Sequence, residues 1–387
     1  MTEKIYESQG LIMDFDAKVL SVEPFGDKFA VELDRTAFFP GGGGQEADEG
    51  FLDNEPVVSI RQSEGRILHI VASPVFSAGS ICTGHIDRSL RLRRMEHHTG
   101  EHILSGIIHK TLGYENVGFH LGSEVVTIDT SGPLSEDNII MCESLANRAI
   151  RENLPVEISF YEKVPENINY RSKKELSGII RLVKIGDVDT CACCAPHLSS
   201  TGQVGAITII NHMPYKGGTR LFMLAGDAAT LEIRRQLNAL RSASQMLSVK
   251  PLETPSAVLK LRQTLENERF ANSALISDYC NELLSSQQNR SDFRLLVFDK
   301  LNSKIAVVLG EKWMQGVLFF AAFFGEPGSR KFIIKSGSLN LQEKIGLINE
   351  ILHARGGGRS GEVSGCTTLT DNELSAACEQ LYAKLSV

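Results

Sequence analysis

His98-Thr99-Gly100-Glu101-His102 lies inside the helical pattern of residues 94–112, and the rest of the chain is organised around its reading. Residues i and i+4 share one face of a helix, so both imidazoles can meet one ion. His97 and Glu101 make a second i, i+4 pair, expected to face away from the first. A His pair alone is ordinary polar helix surface. It gains weight from a second cluster, Cys191-Ala192-Cys193-Cys194-Ala195-Pro196-His197. Imidazole and thiolate are the preferred ligands of zinc, and His98, His102, Cys193 and His197 would complete one tetrahedral set. A closed site can simply hold a fold together, although structural sites commonly use more cysteines. His-x-x-Glu-His also fits an inverted zinc-peptidase motif in which the Glu is a general base. A peptidase needs a third, usually carboxylate, ligand downstream, whereas the second cluster here is Cys/His.

Outward from that helix the chain reads as α+β. Residues 1–90 carry short Val- and Ile-rich strands (Ala17–Val22, Phe29–Leu33, Val57–Ile60, Ile67–Val71) separated by turn residues, which predicts a small β-barrel-like domain. Residues 91–227 mix helical patterns (94–112 and 136–152) with strands at Glu157–Tyr161 and Ala206–Asn211, giving an α+β metal-binding domain. In 228–289 the spacing of Ile233, Leu237, Leu240, Ser244 and Leu247 is that of a coiled-coil seam. Pro251 and Pro255 interrupt it, and Val258, Leu261, Leu265, Leu275 and Tyr279 continue it, which predicts a helical hairpin. The seam is compatible with a homodimer through the hairpin or the C-terminal domain. Residues 290–387 alternate strands (Arg294–Phe298, Ile305–Leu309, Val317–Phe323, Phe332–Lys335) with helices (Leu341–Ala354, Asp371–Leu385), an α/β domain.

Composition narrows the function classes. The 387 residues hold 42% hydrophobic and 22% charged side chains, which excludes a wholly disordered chain. No apolar run approaches the roughly 20 residues that span a bilayer. The first residues lack the basic and apolar regions of a signal peptide, so the expected compartment is the cytoplasm. There the eight cysteines stay reduced, favouring metal binding or catalysis over disulfides. The net charge of −7 argues against bulk polyanion coating, but what matters for a nucleic-acid partner is where the cations sit.

The third motif is Thr36-Ala37-Phe38-Phe39-Pro40-Gly41-Gly42-Gly43-Gly44-Gln45, followed by Asp48 and Gly50. Four glycines let a backbone approach a ligand closely, but the run has neither the Lys-Ser/Thr of a P-loop nor a dinucleotide fingerprint. Taken in order, TAFFPGGGGQEADEG, HHTGEH and CCAPH followed by TGQVG resemble the editing domain of alanyl-tRNA synthetase and the free-standing alanyl-tRNA editing proteins. Gly356-Gly357-Gly358-Arg359-Ser360-Gly361 resembles the DHH-associated domain found C-terminal to that editing domain in long editing proteins. The family's second ligand motif is usually Cys-Gly-Gly-Thr-His. Here the spacing survives, Pro196 replaces the Thr, and Cys191 or Cys194 remains an alternative to Cys193.

The resemblance implies a trans-editing hydrolase that deacylates tRNA(Ala) mischarged with serine or glycine. It implies zinc on His98, His102, Cys193 and His197, one per chain; from ligand type, His197 is expected to be the weaker fourth ligand. Thr36, Gln45, His98 and His102 would be catalytic, and Thr36, Gly42, Gly43, Gly44 and Gln45 would bind substrate, Thr36 sensing a seryl hydroxyl. Arg88, Arg91 and Arg94 precede the His motif, and residues 330–360 carry six basic side chains against Glu343 and Glu350. Beside such a site these become candidate contacts to a tRNA backbone, together with a cationic loop of Gly356, Gly357, Gly358 and Arg359. The rival readings are the inverted-motif peptidase and a non-catalytic tRNA-binding protein with structural zinc.

Overall fold

The computed structural model describes residues 2–63, 65–122, 125–172, 178–286, 293–298, 310, 313–314 and 316–385. The chain is mixed α and β, as expected, and divides into two compact units, Met1–Pro251 and Leu252–Val387. The first opens with β1 (Glu3–Lys4) and the short helix α1 (Ile5–Ser8). Alternation then forms the strands. In β2 (Asp14–Phe25) Phe15, Ala17 and Val19 are buried while Asp14, Asp16 and Lys18 face out, the two-residue period of a half-buried strand. β3 (Lys28–Leu33) follows, then β4 (Arg35–Thr36), which pairs with β1 in parallel. β5 (Gly50–Leu52), β6 (Glu55–Ser63), β7 (Arg66–Val71) and β8 (Ile81–Ile86) complete a ring in the order β2-β3-β7-β6-β5-β8. Because β8 pairs back onto β2, with Phe15 opposite Gly84, none of these strands is left as a bare edge. Val19, Val31, Leu33, Leu52, Ile67 and Val71 fill its interior.

Helix α2 (Arg88–Leu112) starts where the Asp87 side chain accepts the Leu90 N–H and stops at Gly113, which is left-handed. Ile103, Leu104, Ile107 and Ile108 share a core with Val126, Ile128, Leu221 and Met223. Those partners belong to an antiparallel sheet of β9 (Asn116–Leu121) and β10 (Val126–Thr130) with two later strands. Helix α3 (Glu136–Arg151) adds Ile139, Cys142 and Ala146 to the same core. A three-stranded sheet of β11 (Val156–Tyr161), β12 (Ile180–Ile185) and β13 (Asp189–Ala192) comes next. β14 (Ile207–Tyr215) and β15 (Gly218–Ala225) finish the four-stranded sheet, and helix α4 (Gly226–Met246) leaves it.

Arg91 ties helix α2 to the glycine-run segment. Its side chain is wholly buried, donating from Nε to Asp48 Oδ1 at 2.9 Å, from Nη1 to Gly10 O at 2.8 Å, and from Nη2 to Ala37 O and to Asp48 Oδ2. Asp48 in turn accepts the Phe39 N–H at 2.6 Å. One buried bidentate pair therefore fixes both ends of the segment 37–48, and removing one partner of such a pair leaves an uncompensated charge.

The second unit begins with helix α5 (Thr254–Ser286). Its apolar positions Val258, Leu261 and Leu265 are exposed, as are Ile233 and Leu237 on α4. β16 (Phe293–Phe298), β17 (Phe319–Phe324) and β18 (Arg330–Lys335) belong to a five-stranded sheet in which β16 and β17 run parallel. β17 is apolar on both faces. Phe319, Ala321 and Phe323 join the core under the helices, and Phe320, Ala322 and Phe324 pack with Trp313. The strand expected at Ile305–Leu309 lies outside the described residues, and the helix expected over Leu341–Ala354 is the shorter α6 (Ile345–Ile351). The glycine run 356–358 is not a loop. It lies in β19 (Ala354–Arg359), paired residue for residue with β20 (Glu362–Thr367), Gly356 opposite Gly365. Helix α7 (Asp371–Leu385) closes the unit. Among the described residues no helix is long and apolar enough to cross a membrane.

His69 on β7 is wholly buried, with Nδ1 donating to Val31 O at 3.2 Å and Nε2 facing the Thr36 hydroxyl at 2.9 Å. Burial pushes its pKa down to about 4. The unfolded chain takes up this proton near pH 6.5 and the folded chain only near 4, so this contribution is fully present above pH 6.5 and is lost as pH falls to 4. It amounts to about 3 kcal/mol at 1.36 kcal/mol per pH unit. Urea unfolding of wild type and His69→Gln at pH 7.5 and 5 should show a shallower pH dependence in the variant; parallel curves would contradict this account.

Candidate metal centre and substrate cleft

Helix α2 presents His98 and His102 one turn apart, and the chain leaving β13 presents Cys193 and His197. The ligand atoms of these four side chains lie within 4.8 Å of one another, and the three histidines are buried. Cys193 Sγ is 3.5 Å from His98 Nε2 and 3.3 Å from His197 Nε2. The four residues expected to bind metal are thus brought together around one point.

The opposite ring nitrogens decide what this point can bind. His98 Nδ1 donates to Gln45 Oε1 at 2.7 Å, and His102 Nδ1 donates to Asp189 Oδ2 at 3.0 Å. His197 Nδ1 meets the Thr99 hydroxyl at 3.2 Å, which also accepts the Leu198 N–H. A carbonyl or carboxylate on Nδ1 fixes the tautomer and leaves Nε2 as the free lone pair, which is how metal-ligating histidines are held. Asp189 reaches His102 because Gly106 on α2 has no side chain. A Cβ there would lie 2.7 Å from Asp189 Cβ.

Charge follows the same logic. Burial alone would raise the Cys193 thiol, but the imidazoles of His98 and His197 outweigh it and hold the thiol well below its usual range. Burial pushes His197 down to about 3, whereas at His102 burial is outweighed by the bonds to Asp189 and Cys193, which hold the ring well above its usual range. Burial would also raise Asp189, yet its bonds to His102 and Arg171 hold the carboxyl below its usual range. Thiolate and imidazole are the donors a divalent metal takes, and its binding would displace the proton held between His102 and the thiol, so the donor set fits such an ion. Cys191 lies on the far side of His102, grouped with Asp189 rather than with the three histidines. Cys194 is exposed.

Three of the four, His98, His102 and Cys193, border a cleft of about 720 Å³ also lined by Phe39, the glycines 41–44, Phe119, Glu101 and Arg181. Gly44, at φ +91°, packs so closely that a Cβ would lie 2.6 Å from the Phe119 ring. Phe119 packs against His98 with centroids 5.0 Å apart and the ring planes tilted by 41°.

Several expectations change here. Thr36 is fully buried and is not among the residues lining the cleft; its hydroxyl accepts the Phe38 N–H and its partner is His69, so in this structure it supports the loop. Gln45 is buried behind His98 and does not line the cleft. Arg91 and Arg94 are not available to RNA: Arg91 pairs with Asp48, and Arg94, 4% exposed, bonds Ala47 O and Glu46. Arg88 is exposed. Of the basic surplus in 330–360, Arg330 pairs with Asp371 and Lys335 with Glu362, while Arg355 and Arg359 are exposed. Glu101, expected to face away, lines the cleft, because i+3 from His98 is the same face as i+4. Asp189, Thr99 and Arg181 carry no motif that singles them out; a carboxylate inside the short strand before Cys193 is the available signal for the first.

A buried three-nitrogen, one-sulfur cluster beside a glycine-lined cleft defines the class of the site. The family described as the threonyl and alanyl tRNA synthetase second additional domain matches residues 180–222, which run from β12 into β15. The alanyl-tRNA editing protein AlaX-L of Pyrococcus horikoshii is 27% identical over the whole of both chains. The alanyl-tRNA editing protein Aarsd1-B of Xenopus laevis is 27% identical over 87% of this chain and 84% of its own. The alanine–tRNA ligase of Archaeoglobus fulgidus is 28% identical over 96% of this chain, which spans 43% of that ligase. Similarity along the full length of an editing protein bears out the resemblance read in the three motifs.

Asp189→Asn removes the carboxylate that orients His102 at little change in volume. Metal affinity, read by chelator competition with cobalt(II) as an optical probe, should fall about 10–100-fold. Unchanged affinity would show that Asp189 serves only the fold.

Proposed function

We propose that the protein is a zinc-dependent aminoacyl-tRNA hydrolase that clears serine, and with it glycine, from mischarged tRNA(Ala) in trans. A synthetase pocket made for alanine discriminates poorly against one methylene or one added hydroxyl, each worth about 1–3 kcal/mol or less, so a second hydrolytic site is a physical answer. The observation that carries the reading is the convergence of His98, His102, Cys193 and His197 at the side of a cleft wide enough for an acylated ribose. Zinc on those four side chains supplies a Lewis acid for the ester carbonyl.

The chain's own residues do the rest. Gln45 and Asp189 hold the rings of His98 and His102, and Thr99 holds that of His197. Phe119 and the glycine run form the wall against which the acyl group would lie. Arg181 donates from Nε to Glu7 O and from Nη1 to Cys193 O, bracing the thiol-bearing loop. Exposed Arg88, Arg355 and Arg359 are the basic side chains offered to the tRNA backbone. Exposed Leu261 and Leu265 on α5 support pairing of two copies. The cytoplasm is the compartment in which a Cys193 ligand stays reduced. The gathering of Cys193 and His197, and of no carboxylate, with both His98 and His102 favours this reading over the peptidase.

Purified protein should carry about one zinc per chain and hydrolyse seryl-tRNA(Ala), and His98→Ala should lose both. Absence of hydrolysis by zinc-loaded wild type would overturn the function; undiminished zinc in His98→Ala would overturn the ligand assignment. For the accessory unit, Arg355→Glu with Arg359→Glu should weaken tRNA binding. The slope of log affinity against log salt should become shallower by about 0.7–0.9 for each phosphate that these side chains neutralise. An unaltered slope would remove these arginines from the RNA interface.

A further inference from the structure

Two carboxylates are found among the cleft-lining residues, Glu7 and Glu101. Glu7 is committed to Lys4 at 3.2 Å. Glu101 is different. It is 3% exposed, and its Oε1 accepts a hydrogen bond from Asn116 Nδ2. Asn116 is itself held, since its Oδ1 accepts the Gly118 N–H at 3.1 Å. Oε2 receives no hydrogen bond among the described residues, and His102 Nε2 lies 3.9 Å from it. A buried carboxylate with one neutral donor and a bare oxygen is costly unless something cationic meets it.

The other charged side chains lining the cleft offer nothing to a cation. Arg171 and Arg181 are cations themselves; Arg171 donates to Asp189 and Ser105 and meets Glu101 by charge alone, without a hydrogen bond, and Arg181 donates to backbone carbonyls. The imidazole Nδ1 atoms already have their partners. Every aminoacyl ester carries an α-ammonium group two bonds from the ester carbonyl, and a cleft that draws this carbonyl toward the four-residue cluster brings the ammonium to its rim. Glu101, one residue before a ligand and on the same helix face, is the acceptor standing there.

We propose that Glu101 receives the α-ammonium of the aminoacyl group and thereby confines the cleft to acyl groups with a free amine. This assignment rests on the aminoacyl-ester reading of the site. The residue recognises substrate; Asn116 positions it by occupying one oxygen and turning the other into the cleft.

The test uses full-length, zinc-loaded protein and three esters of the same tRNA: seryl, glyceryl (hydroxyl in place of the amine) and N-acetylseryl. Wild type should prefer seryl over the other two by about tenfold or more, the scale of a hydrogen bond to a charged group. Glu101→Gln should bring that ratio close to one with zinc content unchanged, and Glu101→Asp should retain part of it. Binding of non-hydrolysable 3′-amide analogues of the seryl and glyceryl adenosines, measured by calorimetry on wild type, should show the same preference without any variant. Three results would overturn the inference: a ratio unchanged in Glu101→Gln, an equal fall for all three esters (Glu101 acting on water or on the ester), or loss of zinc in the variant. Wild type inactive on every ester, and binding neither amide, would instead sink the hydrolase reading on which it stands.

Discussion

A half-buried thiol packed among three buried imidazoles is the constraint on which the first unit depends. Such a thiolate is expensive to bury, and the rings that face it are useful only if each keeps its Nε2 lone pair pointed inward. That condition is met from outside. Gln45 comes from the glycine-run segment, Asp189 from β13, and Thr99 from α2 itself. Each latch therefore requires a different element to be in place, and the cluster reports on the assembly of the strand ring, the long helix and the three-stranded sheet together.

The packing around α2 makes those latches reachable. Arg91 and Asp48 clamp the segment 37–48 onto the helix, which puts Gln45 behind His98 and leaves the glycines 41–44 along the cleft. Gly106 lets β13 approach until Asp189 touches His102. Gly44 lets Phe119 close over the loop and onto His98. Small residues stand where backbones must come near; bulky apolar ones fill the core below.

Much of this is legible in the sequence. The i, i+4 spacing of His98 and His102 and the Cys193-x-x-x-His197 spacing carry the four-residue cluster because helical geometry and side-chain chemistry are local properties. The strands of the ring are visible as two-residue alternation, as in Phe15, Ala17 and Val19. Long-range pairing is not visible. Arg91 reads as a solvated cation in a basic run, yet Asp48, distant in sequence, takes it into the interior. Thr36 reads as a pocket residue, but a buried His69 from another strand claims its hydroxyl. The run 356–358 reads as a flexible loop because glycine favours none of the regular structures, whereas β20 recruits it as a strand. Glu101 falls on the wrong face when it is compared with His97, and on the right one when compared with His98.

X-ray absorption at the zinc edge of the purified full-length protein tests the central claim most directly. One sulfur near 2.3 Å and three imidazole nitrogens at about 2.0–2.1 Å are predicted, with the sulfur lost in Cys193→Ser. Two sulfurs, or a shell of nitrogen and oxygen alone, would contradict a centre built from His98, His102, Cys193 and His197.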